Sequence, residues 1–118
     1  MNTKCIGDFG ENAAKEYLED MGYEILKRNF RLRFGEVDII AQKDGCIVFV
    51  EVKTRKDNSF GEPSQYVDHK KQWNIKRAAS VYTNIETTEM RFDVIEVFYE
   101  EKDDKLYVKK LNHIENAF

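Results

Sequence analysis

Cysteine, histidine, proline and tryptophan are all scarce in this sequence of 118 residues, which holds two, two, one and one of them. Cys5 and Cys46 lie far apart and have no cysteine or histidine nearby at metal-ligand spacing, which argues against a zinc site or a redox pair. The two histidines, His69 and His113, accompany no serine framed by glycines, so Ser-His-Asp and Cys-His catalysis have little support. Carboxylates and lysines remain as the reactive groups.

Long apolar runs are missing as well. No stretch approaches the roughly 20 apolar residues that a membrane helix needs. The N-terminal residues include no apolar segment of the kind that directs secretion. We therefore expect a cytoplasmic protein with no membrane partner. The length, with 42% hydrophobic and 35% charged residues, predicts a single globular domain over residues 1–118.

Positive charge is concentrated in three short clusters, although the formal net charge is -3. The clusters are residues 27–33, 53–56 and 69–77. Each cluster taken alone is typical of a solvated surface. Only their convergence in the fold would create a surface that binds the phosphates of a nucleic acid.

Hydrophobic periodicity predicts two helices and five strands in the order αβββαββ. The β-branched run Cys46–Val52 indicates a central strand that is buried on both faces, and Asp44-Gly45 before it is typical of a hairpin turn. The predicted fold is an α/β domain in which a sheet of about five strands is flanked by two helices. The expected bounds are a helix over Asp8–Met21, strands over 23–30, 37–41 and 46–52, a helix opened by Pro63 and Ser64 that ends near Tyr82, and strands over 91–99 and 106–114.

Glu51 and Lys53 are two residues apart at the end of the predicted central strand, so their side chains point to the same face. One interpretation is an exposed ion pair, worth less than about 1 kcal/mol. However, Ile47 and Phe49 share that face, which is apolar until its charged end. Unlike charges at the end of a buried strand indicate ligand binding, metal binding or catalysis, because an unpartnered buried carboxylate is costly.

Asp38 lies in the strand that the hairpin pairs with the one bearing Glu51. If the two carboxylates face each other, a cation or a proton is needed between them, and oxygen ligands favour Mg²⁺ or Mn²⁺ over zinc. The other interpretation is that the hairpin register turns Asp38 to solvent. The sequence leaves both open.

Two helical residues are further candidates for the site. Glu11 lies in the first turn of the predicted first helix, where the helix dipole favours a carboxylate, but also at the edge of its buried stripe. Lys71 lies four residues before Ile75 on the second helix and so shares its inward edge. A solvated lysine is the alternative for Lys71.

At these residues the chain resembles a known family, the bacterial YraN family of predicted endonucleases. That family lies within the PD-(D/E)XK, or restriction-endonuclease-like, superfamily, which includes archaeal Holliday junction resolvases. The resemblance covers nearly the whole chain, and its most specific part is the ordered pair of motifs around Asp38 and Glu51. The residues that carry it are Gly10-Glu11, Ala14, Leu18, Gly22-Tyr23, Asn29, Arg31, Gly35–Ile40, Phe49–Arg55, Gly61, Lys71, Arg91–Ile95 and Asn116–Phe118.

The resemblance implies a metal-dependent endonuclease that hydrolyses phosphodiester bonds of DNA, with branched or structured DNA as the expected substrate. Asp38, Glu51 and the carbonyl of Val52 would hold Mg²⁺ or Mn²⁺, Lys53 would act on the attacking water, and Glu11 would be an accessory acid. Val37 stands where the superfamily's name has proline. Symmetric cleavage of a junction would require a homodimer.

Six basic residues of the three clusters are the candidates for contact with nucleic acid: Arg31, Arg33, Arg55, Lys70, Lys71 and Lys76. The competing hypothesis is a catalytically silent domain of the same fold that binds nucleic acid or a protein partner. Retention of the two acids and the lysine favours the enzyme, because carboxylates repel phosphate and do not help a mere binder.

Overall fold

The computed structural model describes residues 1–56, 67–84 and 88–118 and confirms the predicted order αβββαββ. Pro63 and Ser64, expected to open the second helix, lie outside the described residues. The elements are α1 (Thr3–Asp20), β1 (Glu24–Leu32), β2 (Gly35–Lys43), β3 (Cys46–Lys56), α2 (His69–Tyr82), β4 (Met90–Lys102) and β5 (Lys105–Ile114).

Both helices begin where a side chain caps them, and neither begins where the sequence pattern predicted. Helix α1 begins at Thr3 rather than near Asp8, because the Asn2 side chain accepts a hydrogen bond of 2.8 Å from the backbone N–H of Cys5. Asp68 caps α2 in the same way, accepting from the N–H of Lys71 at 2.8 Å. Among the described residues, neither helix is both long and apolar enough to cross a membrane.

The five strands form one mixed sheet in the order β1-β2-β3-β4-β5, so β3 is central and β1 and β5 are the outer edges. Strands β3 and β4 are parallel, and the other neighbouring pairs are antiparallel. A parallel pair needs a crossover connection, and the chain between β3 and β4 includes α2. Val48, Phe49 and Val50 of β3 have no exposed surface, which confirms that this strand is buried on both faces.

Each face of the sheet carries its own hydrophobic core. On one face, Leu18 of α1 packs with Val48 and Val50 of β3. On the other face, Ile75 of α2 packs with Phe49. The helices therefore sandwich the sheet, and the end of β3 that carries the predicted site lies between them.

Candidate active site

The predicted carboxylates lie where strands β2 and β3 part. The last described pair of the hairpin is Ile39 with Val50, so the next positions in register are Asp38 and Glu51. Beyond that pair, the backbone N–H of Val52 donates to Oδ2 of Asp38 at 2.8 Å rather than to a backbone carbonyl of β2. Asp38 is therefore directed toward β3, and the interpretation in which the two acids face each other is confirmed.

An irregularity in β1 lies beside Asp38. Asn29, which lies opposite Asp38 in the β1–β2 register, has a left-handed backbone with φ of 52°. The alternation of faces is interrupted at the same place in β2, because Val37 packs in the core under α2 whereas Ile39 packs in the core under α1. Asp38 thus occupies the point where β2 changes face, and its carboxylate reaches the gap between the strands.

Asp38 and Glu51 interact strongly with each other. Glu51 is 4% exposed. Burial raises the pKa of Asp38 to about 8, and the nearby charge of Glu51 and a hydrogen bond between the two carboxyl groups contribute to the rise. A backbone hydrogen bond from Val52 opposes the shift. Asp38 therefore keeps its proton near neutral pH when no cation is bound.

Lys71 of α2 supplies one positive charge to this pair. Its ammonium forms an ion pair with the carboxylate of Glu51, while about half of its side chain remains exposed. Burial lowers the pKa of Lys71, but the hydrogen bond to Glu51 and the charges of Glu51 and Asp38 outweigh burial and raise it. Lys71 therefore lies on the inward edge of α2, as one of its two interpretations predicted.

Two clefts meet at Asp38. The first, which we call the α2 cleft, has a volume of about 480 Å³ and is lined by Gly35, Glu36, Asp38, Glu51, Asp68, Lys70, Lys71, Asn74 and Ile75. The second, the α1 cleft, has a volume of about 380 Å³ and is lined by Lys4, Gly7, Asp8, Glu11, Asn29, Arg31, Glu36, Asp38, Val52 and Thr54. Asp38 is thus reached from both sides of the sheet, whereas Glu51 lines the α2 cleft alone.

Glu11 lies in the α1 cleft, but not in the first turn of its helix. Because α1 begins at Thr3, Glu11 is more than two turns inside the helix, and the expected stabilisation by the helix dipole is wrong. Its Oε1 accepts hydrogen bonds of 3.0 Å from Nε of Arg28 and from Nδ2 of Asn29. Glu11 therefore fixes the irregular part of β1 that lies next to Asp38, a link that the sequence pattern did not predict.

Gly10 allows α1 to lie close to the sheet beside this site. A Cβ placed on Gly10 would overlap the side chain of Thr54 on β3. The absence of a side chain at this position lets the helix backbone approach β3, which brings the neighbouring Glu11 to the sheet.

Lys53 lies two residues beyond Glu51 on the same face of β3 and is partly exposed. The ladder with β4 continues past it to Lys56. The backbone of Lys53 is thus held by the central strand pair, and Lys53 is not among the residues that line the two clefts.

The basic clusters converge on the clefts only in part. Lys70 and Lys71 line the α2 cleft, and Arg31 lines the α1 cleft, where its Nε contacts Glu36 at 2.7 Å. Arg33 is exposed in the turn between β1 and β2. The remaining two candidates lie outside both clefts: Arg55 contacts the buried Glu96 at 3.1 Å, and the Lys76 ammonium lies 5.7 Å from the centre of the Phe92 ring.

Three oxygen donors are available for a metal at this site. Two are the carboxylates of Asp38 and Glu51. The third is the carbonyl of Val52. It points to the same side of β3 as the Val52 N–H, which contacts Asp38. Within residues 1–56, 67–84 and 88–118, no three His, Cys, Asp or Glu side chains cluster as a metal cage. Mg²⁺ commonly uses one or two carboxylates together with water and substrate phosphate, so the donors fit that ion.

Comparison with known proteins assigns the chain to a family. A family model described as "Uncharacterised protein family UPF0102" matches residues 10–97. The chain belongs to the UPF0102 family. A UPF0102 protein of Caldicellulosiruptor bescii is 49% identical over 122 residues, covering 100% of both chains. A UPF0102 protein of Clostridioides difficile is 47% identical over 121 residues, again covering 100% of both. The matched family segment includes Glu11, Asp38, Glu51, Lys53 and Lys71.

Proposed function

We propose that this UPF0102 protein is a metal-dependent endonuclease of the PD-(D/E)XK kind. The observation that carries the proposal is the meeting of Asp38 and Glu51 at the point where β2 and β3 part, with the Val52 N–H bound to Asp38. Two acids in contact, of which Glu51 is buried and Asp38 is half-buried, destabilise each other unless they hold a proton or a cation. Such a pair is retained for chemistry more readily than for stability.

Each residue has a distinct part in the proposed reaction. Asp38, Glu51 and the Val52 carbonyl would hold Mg²⁺ or Mn²⁺, which when bound would polarise the phosphate and promote ionisation of water. Lys53 would orient the attacking water and help to remove its proton. Lys70 and Lys71, along the α2 cleft, would contact the phosphates of the substrate strand.

The proposed substrate is DNA, with branched or otherwise structured DNA as the class in keeping with the resemblance to resolvases. One carboxylate pair cuts one strand at a time, so symmetric cleavage of a junction would require a homodimer with two sites. The proposed place of action is the cytoplasm.

The direct test is nicking of four-way-junction, flap, single-stranded and duplex DNA in Mg²⁺ or Mn²⁺. We expect cleavage by the wild type that EDTA abolishes. Glu51→Gln removes a metal ligand and should reduce nicking to background. Lys53→Ala removes the group that acts on water and should lower the rate by about 10²-fold or more.

Matched controls are Glu16→Gln on the exposed surface of α1 and Lys105→Ala on β5, which make the same chemical changes away from the site. Both should cut at the wild-type rate. DNA binding by Glu51→Gln, measured by anisotropy, should persist. Metal-independent DNA binding with no cleavage of any substrate would instead favour the silent binding domain.

A further inference from the structure

Trp73 is the only tryptophan in the chain, and it lies exposed on the outer surface of α2. Its relative exposure is 65%, although tryptophan is usually largely buried. The apolar contacts of α2 with the sheet come from Ile75, Ala78 and Ala79 on the opposite side of the helix. Trp73 therefore contributes little to the core, and its large ring is available to a ligand.

Positive charges flank this ring. Lys70 is three residues before Trp73 and Arg77 is four residues after it, which are the spacings at which side chains are neighbours on a helix surface. Both are exposed, and within the described parts of the chain neither forms an ion pair. The surface around the indole is thus cationic, which favours a ligand with negative charge.

The same surface continues onto the turn between β1 and β2. The guanidinium carbon of Arg77 lies 4.0 Å from the centre of the Phe34 ring, and Arg33 is exposed next to Phe34. The turn is held against α2, because a Cβ on Gly35 would come within 3.0 Å of the Cβ of Asn74. We define the Trp73 surface as Arg33, Phe34, Lys70, Trp73 and Arg77.

The Trp73 surface is continuous with the carboxylate site. Lys70 belongs to the surface and also lines the α2 cleft that contains Asp38 and Glu51. Asn74, next to Trp73 in sequence, lines the same cleft. A polymer bound with one phosphate at the carboxylates would therefore pass Lys70 before it reached Trp73.

A flat aromatic ring beside cations is the combination that binds unpaired nucleotides, since the ring stacks on a base and the cations contact phosphates. In a duplex, the face of each base is covered by its neighbours, so Trp73 could stack only on a base that is free. We propose that the Trp73 surface binds a single-stranded segment of DNA next to the scissile phosphate. Binding of a single strand by the Trp73 surface does not depend on the proposed nuclease activity, whereas cleavage beside that strand rests on it.

The first experiment uses Trp73 as its own reporter. Fluorescence of the wild-type chain is titrated in EDTA with an oligothymidine and, separately, with a blunt duplex of equal length. Stacking should quench the indole, and half-saturation with the single strand should occur at a concentration at least about tenfold lower than with the duplex. Equal or weaker quenching by the single strand would overturn the proposal.

A second experiment measures the contribution of the ring with labelled oligothymidine by anisotropy. Trp73→Ala should weaken binding by about 5- to 150-fold, equivalent to the roughly 1–3 kcal/mol of one base stacked on an aromatic ring. Trp73→Phe should recover part of the affinity. The control is Tyr107→Ala, which removes a 47% exposed ring from β5 and should bind like the wild type.

Other outcomes separate this inference from the proposed function. An unchanged affinity of Trp73→Ala, or sedimentation showing that Trp73 mediates association of two copies, would overturn the inference while leaving a nuclease intact. If single strands quench the Trp73 fluorescence but no DNA is nicked, binding at Trp73 would be supported and the nuclease proposal would be contradicted. With both intact, Trp73→Ala should slow nicking of flap DNA and not of duplex.

Discussion

At the scale of single residues, the site combines two acids that repel each other with one lysine that compensates them. The lysine pairs with Glu51, which leaves Asp38 as the acid whose pKa is raised to about 8. A strained arrangement of this kind costs stability while it provides for cation binding. Removal of the Asp38 charge and removal of the Lys71 charge should therefore have opposite effects on stability.

Asp38→Asn should stabilise the metal-free protein. The unfolded chain releases the Asp38 proton near pH 3.8, and the folded chain keeps it to about pH 8, so the stability of the wild type falls as pH rises through that interval. The amide has no such proton, and its oxygen can still accept from Val52. In EDTA at pH 8, the variant should gain on the order of 1 kcal/mol or more in urea unfolding.

The gain should be smaller at pH 5, where the wild-type carboxyl is protonated in the folded state. Glu16→Gln, an exposed acid changed to its amide, is the control for a general effect of charge. The same Asp38→Asn variant should neither bind Mn²⁺ at the site nor nick DNA. A lower stability than the wild type at pH 8 would contradict the assignment of strain to Asp38.

Lys71→Met should destabilise the protein through Glu51. The substitution keeps an apolar stem but leaves a carboxylate that is 4% exposed without its ion pair. We expect a loss of about 1–3 kcal/mol in the free energy of unfolding, below the range for a fully buried pair because Lys71 is half-exposed. In a Glu51→Gln background, the same change should cost much less, and urea unfolding of the four proteins tests this. Equal costs in both backgrounds would show that Lys71 acts elsewhere.

At the scale of the elements, the sequence predicted the order and type of the helices and strands because the hydrophobic patterns are strong. The β-branched run of β3 and the Asp-Gly turn before it fixed the central strand and its partner. The starts of α1 and α2 were not predicted. Asn2 and Asp68 cap these helices through side-chain hydrogen bonds, and the sequence offers other possible capping residues near each of them.

The candidate site was predicted in part for a similar reason. The position of Asp38 relative to Glu51 depends on the register of the hairpin. The sequence leaves two alternatives, in which Asp38 faces either Glu51 or solvent. The left-handed Asn29, which lies opposite the point where the alternation of β2 fails, leaves no clear signal, since asparagine adopts positive φ in many loops. The contact of Glu11 with Asn29 joins residues of different elements, and helix periodicity alone does not predict such a contact.

Gly10→Ala should destabilise the packing of α1 on β3. The added methyl group would overlap Thr54, and relief requires the helix to move away from the sheet, at a cost of about 1–3 kcal/mol. Gly7→Ala is the matched control in the same helix, because nothing lies within 4 Å of a Cβ there. Since alanine favours helix more than glycine does, this control should gain up to about 1 kcal/mol.

Thermal or urea unfolding of the two single variants tests this contrast. A double variant, Gly10→Ala with Thr54→Ala, should recover part of the loss, because it removes atoms that the new methyl group meets. Because Glu11 follows Gly10 in the helix, nicking should fall along with stability in Gly10→Ala. Equal effects of the two glycine substitutions would argue against close packing at Gly10.

At the scale of the whole molecule, a hydrogen-bonded network joins distant parts of the chain around the buried Asp93. The carboxylate receives two hydrogen bonds of 2.8 Å from Arg91, one of 3.0 Å from the N–H of Asn116, and lies 2.7 Å from Nε2 of His113. The other ring nitrogen of His113 lies 2.9 Å from the hydroxyl of Tyr17 on α1. One carboxylate thus ties β4, β5, the C-terminal residues and α1 together.

This network makes stability sensitive to acid. Burial by itself would raise the pKa of Asp93, but the hydrogen bonds from His113, Arg91 and Asn116 outweigh burial and lower it. A carboxylate with a lowered folded-state pKa adds stability above its unfolded value of about 3.8, and that stability is lost as pH falls through the folded pKa. Asp93→Asn should therefore cost about 2 kcal/mol or more at pH 7.

The measurement is urea unfolding of Asp93→Asn and wild type from pH 7 down to pH 2. The difference in unfolding free energy should shrink below pH 3.8 as the wild-type carboxyl is protonated. Glu100→Gln on the same strand removes a partly exposed acid that contacts Lys109 at 3.5 Å, and should change stability little at any pH. A difference between Asp93→Asn and wild type that does not depend on pH would contradict the role of the ionised carboxylate.

The two outer strands of the sheet have a consequence for how the protein behaves in concentrated solution. Outer strands present unpaired backbone groups on which another sheet can add and begin to aggregate. Here β1 carries Lys27, and β5 carries Lys105 and Lys110, none of which forms an ion pair with another described residue. Edge-to-edge stacking of two copies would bring like charges together, so these side chains keep the sheets apart. That protection weakens as salt shortens the range of the repulsion to about 3 Å at 1 M, and the chain should be handled at low ionic strength to remain dispersed.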